Sequence, residues 1–97
     1  MSKIDFTKVQ SLRDVRSEEI KRECGTRIQA VLDTHTMLNM QAAILSDVMN
    51  KTDRTKFTKA QSWVASMLAE SRAAAAQGRA PEWPQVPKVV EALARRY

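Results

Sequence analysis

Glycine is almost missing from this chain, with two in 97 residues. Hairpin turns, phosphate-cradling loops and nucleotide fingerprints all draw on residues without a Cβ. So small a supply argues against an all-β fold and against a nucleotide-binding enzyme. Cysteine is rarer still: a lone Cys24 cannot form an internal disulfide, and nothing points to an oxidising compartment. The sequence also lacks an N-terminal apolar h-region and any run of about 18 apolar residues. The expectation is a protein with no signal peptide and no membrane span, living in a cytoplasm or inside an assembled particle.

What is present fits one folded domain: 43% of residues are apolar and 28% charged. The net charge of +5 is unevenly placed. Residues 1–50 carry seven Lys/Arg against seven Asp/Glu, whereas residues 51–97 carry nine against four. An acidic partner should therefore meet the second half.

Periodicity predicts helices. Residues 1–16 mix charges with Ile4, Phe6, Val9 and Leu12 and read as an arm, with one helical turn after Ser11, whose spacing to Asp14 suits an N-cap. Ser17, followed by Glu18 and Glu19, reads as the start of a single helical domain over 17–97. From there Ile20, Cys24, Ile28, Val31, His35, Leu38, Ala42, Leu45 and Met49 recur at steps of three and four. This spacing predicts one long helix of roughly 45 Å. Asp33-Thr34 offers the alternative of a cap that splits it. Within 37–49, nine of thirteen residues are apolar, an arc too wide for one covering neighbour. Thr52 or Asp53 is placed to cap the next helix, whose stripe is Phe57, Ala60, Val64, Met67, Ser71 and Ala74, widened by Trp63 and Leu68 and ended by Gly78. Ala65, Ala69 and Ala73 would permit close approach of another backbone, and read equally well as plain helix formers.

All three prolines fall between Pro81 and Pro87, in "APEWPQVP". Each lacks an N–H and disfavours the helical conformation before it, so the stretch should run extended. Trp83 and Pro84 read as the anchor of a stiff strap, with Pro87 at the first position of a last helix striped by Val86, Val90, Leu93 and Tyr97.

Chemistry is thinly supplied. Cys24 and the single histidine, His35, lie eleven residues apart on the same stripe, about 16 Å, too far for a shared metal or a nucleophile–base pair. His35 reads as a core or interface residue and Cys24 as a small buried hydrophobe. No catalytic, cofactor or metal site is expected. Two surfaces stand out as binding candidates. One is the Met-rich face with Met37, Met40, Ile44 and Val48, for which a Met-rich core is the competing reading. The other is the basic cluster Lys51, Arg54, Lys56 and Lys59, joined by Arg95 and Arg96, whose competing reading is a solvated loop.

The succession "IKRECGTRIQAVLD", "MLNMQAAIL", "WVASM" and "EWPQVPKVVEALARRY" resembles short, mostly helical proteins of phage and prophage genomes, often encoded near tail genes. The resemblance covers residues 18–97 and is most specific at Met37 to Ala43 and at Trp83-Pro84. It implies a virion or tail-assembly accessory and no established activity. The basic 51–59 segment departs from the more acidic one expected there, leaving room for inhibition of a host protein.

Together these readings predict an all-α protein: a small helical bundle with one long helix, a second antiparallel helix, the Pro/Trp strap and a short C-terminal helix. They predict no enzyme and no cofactor. The expected partner is a protein, either a virion component or a host protein, in a host cytoplasm or a virion. Self-association and nucleic-acid binding come second, and no membrane partner is expected.

Overall fold

Four helices supply the regular structure of the described residues, 6–97, in a computed structural model whose side chains are described from residue 15 onward. They are α1 (Phe6–Val31), α2 (Thr34–Leu45), α3 (Lys51–Gln77) and α4 (Lys88–Arg96). No strand occurs among the described residues, so the chain is all-α as expected.

The first helix starts earlier and ends sooner than its periodicity suggests. It begins at Phe6 and runs through Ser17, so the expected start at Ser17 and the boundary at 16 both fall inside it. Residues 1–5 of the expected arm lie outside the described residues, as do the side chains of the Ser11 and Asp14 pair. At the other end the continuous 17–49 helix is broken. Asp33 takes an extended conformation, and its Oδ1 accepts from Thr36 N at 2.7 Å, which caps α2. Gln29 helps from the preceding turn, its Oε1 accepting from Thr34 N at 3.1 Å. A short acid that can satisfy the exposed amides of a new helix competes well with continued helix at this point.

Asn50, rather than Thr52 or Asp53, caps α3: its side chain accepts from Asp53 N at 2.7 Å. Gly78 ends the helix in the left-handed conformation at φ 65°, where a side chain would be strained. Pro87 sits one position before α4 rather than at its first residue, and its carbonyl accepts from Val90 N at 3.0 Å.

Packing follows the α3 stripe closely. Phe57, Ala60, Trp63, Met67, Ser71 and Ala74 are buried, with Val64 packed against them. α1 lies antiparallel to α3: Cys24 Sγ donates to Met67 O at 3.5 Å, and Arg16 and Ser17 share a depression with Ala75, Ala76 and Gly78. The core is completed by Leu32 from the end of α1, Met40 and Ala43 from α2, Met49 from the turn after it, and Val90 and Leu93 from α4.

The segment between α3 and α4 is held mainly by groups on α3. Trp63 is 6% exposed, and its Nε1 donates to Pro84 O at 3.1 Å. Glu70 accepts from Glu82 N at 2.7 Å and from Arg79 Nη1 and Nη2 at 2.5 and 3.1 Å. Trp83 is half-buried against the core with the Arg27 guanidinium 5.5 Å from its ring centroid. Trp63 is thus the more deeply buried of the two tryptophans. Trp63→Ala is expected to cost about 3–5 kcal/mol in chemical denaturation, and Trp83→Ala distinctly less. Equal losses would contradict this ranking.

Arg79 and the Glu82 amide hold the Glu70 carboxyl down to about 2 from its ordinary 4.5. Because the folded value is the lower one, this contribution to stability is complete above pH 4.5 and disappears as pH falls through about 2. In thermal melts across that window, the gap between the wild type and Glu70→Gln should close as the solution is acidified. A gap of constant size would show that the carboxylate does not hold the segment.

Candidate functional site

Breaking the helix at Asp33 rotates the face that α2 presents. In a continuous helix, His35, Leu38, Ala42 and Leu45 would have been buried; all four are exposed. Met40 is 0% exposed, and Met37 and Ile44 are half-buried against the core. Met40 is therefore unavailable to a partner in this fold, which corrects its place on the Met-rich binding face. Of the four residues expected there, Val48 alone is freely exposed, at 74%. The apolar surface actually left open consists of Leu38 at 58%, Ala42, Leu45 at 87% and Val48. The steps between these residues put them along one side of α2 and onto the turn that follows. No Lys or Arg occurs from Ile28 to Asn50, so the stretch supplies no lysine or arginine of its own to this surface.

His35 stands exposed on α2 while Cys24 is buried on α1, so the two share neither a stripe nor a helix. Burial pushes the Cys24 thiol above its ordinary value, which keeps it protonated and unreactive. Among the described residues no group of three His, Cys, Asp or Glu side chains could hold a metal ion. No helix of the described residues is long and apolar enough to cross a membrane.

The basic cluster is rearranged by one buried acid. Asp53, in the first turn of α3, is 2% exposed. Its Oδ1 accepts from Arg96 Nη1 at 2.8 Å and its Oδ2 from the Tyr97 hydroxyl at 3.2 Å. Burial, with the Asp53 carboxylate accepting its proton, pushes the Tyr97 hydroxyl upward. Asn39 Nδ2 donates to Tyr97 O at 2.9 Å, so α2 is tied into the same junction. The Trp63–Pro84 and Asp53–Arg96 bonds together set α4 antiparallel along the first turns of α3. Arg54 is used locally: its guanidinium meets Asp47 at 2.6 Å and Met49 O at 3.1 Å, bracing the turn between α2 and α3. Lys51 and Lys59 are exposed, Lys56 is half-buried, and none of the three has an ion-pair partner among the described residues.

No family model, curated protein or solved structure matches this chain. Function has therefore to be read from geometry.

Two features of the site escaped sequence reasoning. The openness of Leu38 and Leu45 depends on the phase change at Asp33, although Asp33-Thr34 was a visible signal for it. The Asp53–Arg96–Tyr97 junction joins residues more than forty positions apart, and Asp53 read from the sequence as a candidate helix cap. Within that junction the acid is buried while the Arg96 side chain is 54% exposed. Removing the cation should therefore hurt more than removing the acid, because an unpaired guanidinium can return to water and an unpaired buried carboxylate cannot. Arg96→Met is expected to cost about 2–3 kcal/mol in denaturant titration, and Asp53→Asn less. The reverse order would rule out this reading of the junction.

Proposed function

We propose that this protein is a non-enzymatic interaction module that binds a protein partner through the outer side of α2 and the turn after it. The observation that carries the reading is the run of exposed Leu38, Ala42, Leu45 and Val48 in a stretch without lysine or arginine. Contiguous exposed apolar side chains on a small folded chain mark a surface used for contact. An amphipathic helix of this kind suits a groove or a second helix on the partner. The scaffold behind it is read as a small helical bundle closed by the proline strap. The bonds from Trp63 and Glu70 to that segment support this description.

The resemblance to phage-encoded proteins supplies the setting: a virion or tail-assembly accessory, acting in the host cytoplasm or in the virion. The test is an affinity pull-down with the tagged chain from nuclease-treated, phage-infected lysate, comparing the wild type with Leu38→Asp/Leu45→Asp. Both positions are exposed, so circular dichroism should show the variant folded. Virion components recovered by the wild type and lost by the variant are the expected result. A host enzyme recovered in the same pattern would make the protein an inhibitor. Identical recoveries with the two proteins would remove α2 as the contact surface.

A further inference from the structure

We propose that the end of the molecule built from the first turns of α3 and from α4 binds the phosphate backbone of double-stranded nucleic acid without reading its sequence. The ground for this is independent of the α2 surface. Residues 51–59 and 88–96 hold seven Lys/Arg against two Asp/Glu, a surplus equal to the +5 of the whole chain. The Asp53–Arg96 bond and the antiparallel course of α4 place these two segments side by side. Lys51 and Lys59 stand about 12 Å apart along α3, and α4 covers a similar length. Arg54 is paired with Asp47 and Arg95 stands with Asp33 and Glu91, so the open charge is chiefly that of the lysines. Asp53 is buried and spent on Arg96 and Tyr97, and Glu91 lines a depression with Asp33 and Arg95 that includes none of the lysines. Lys51, Lys56, Lys59 and Lys88 remain without an ion-pair partner among the described residues, and half of the Arg96 side chain reaches water.

Three observations choose among anionic partners. The exposed non-basic side chains of the two segments are small (Thr52, Thr55, Thr58 and Ala92), so a rigid polyanion can approach closely. Phe57 and Trp63 are buried, and Tyr97 is partly buried against the core with its hydroxyl held by Asp53, so these two segments offer no freely exposed aromatic ring on which unpaired bases would stack. No large apolar side chain is exposed within these two segments to enter a bilayer. What remains is repeated positive charge at fixed spacing, the property that neutralises duplex phosphates and releases their counterions.

The experiment is fluorescence anisotropy of a labelled 20-base-pair DNA duplex of arbitrary sequence titrated with the full chain. With about four phosphates neutralised, affinity should fall by about two decades between 50 and 200 mM salt. Lys56→Gln/Lys59→Gln should reduce the salt slope by about 2, whereas Arg72→Gln, farther along α3, should leave it unchanged. Circular dichroism would establish that both variants are folded. Several results would overturn the proposal: no binding at 50 mM salt, a slope indifferent to Lys56 and Lys59, tighter binding to a single strand than to the duplex, or binding to vesicles of anionic phospholipid in place of DNA.

Discussion

The buried carboxylate of Asp53 is the contact on which the arrangement of the helices most depends. It sits where α3 begins, and there it receives Arg96 and Tyr97 from the far end of the chain. α4 is nine residues long, too short to hold a helical conformation alone. It persists because Val90 and Leu93 are buried at one end of the core and because this carboxylate fastens its last turn. The backbone of Tyr97 then accepts from Asn39, so the same junction also steadies α2. Burying an acid is costly unless its oxygens are satisfied. Here both oxygens are, one by a cation and one by a hydroxyl, which converts a liability into a specific docking point for the end of the chain.

The second constraint is the interruption at Leu32 and Asp33. Helical periodicity from Ile20 to Val31 is real, and Ile20 and Cys24 are buried as it requires. Carried across Asp33 it fails, because a new helix starts with a new phase: Met40 and Ala43 turn inward while Leu38 and Leu45 turn out. Periodicity measures spacing and is blind to a change of axis. The capping residue, which sets that axis, is a separate signal. When the two conflict, an acid able to accept from the amide three residues on is the stronger physical fact, since uncapped amides at a helix start must otherwise find water.

Much of the helical architecture could be read directly from the residues. α3 carries a single uninterrupted stripe and ends in a glycine whose positive φ few other residues tolerate, so both its buried face and its end were visible. The stripe of α4 was visible for the same reason. The cap of α3 was misplaced by two or three residues, because Asn50, Thr52 and Asp53 are all competent capping types and only the tertiary role of Asp53 separates them. The start of α1 was hidden by charged residues that form no apolar stripe. On the candidate site the basic residues were recognisable, but their neighbours were not. Arg54 is consumed by the turn and Arg96 by Asp53, and such pairings belong to the fold rather than to any local pattern.

These pairings also explain why two chemically opposite surfaces can stand next to each other. The outer side of α2 carries the exposed Leu38, Ala42 and Leu45 and no lysine or arginine of its own, while α3 and α4 carry most of the positive charge of the chain. The turn from Ser46 to Asn50 divides them, and it is stiffened at its centre: Asp47 takes φ 56° and is bridged by Arg54. Arg54, at the start of α3, is neutralised by Asp47 within that turn. Without that bridge an unpaired guanidinium would stand at the turn beyond α2, where covering it would cost desolvation. With it, a partner of the kind proposed could cover the apolar side without stripping water from an unpaired guanidinium.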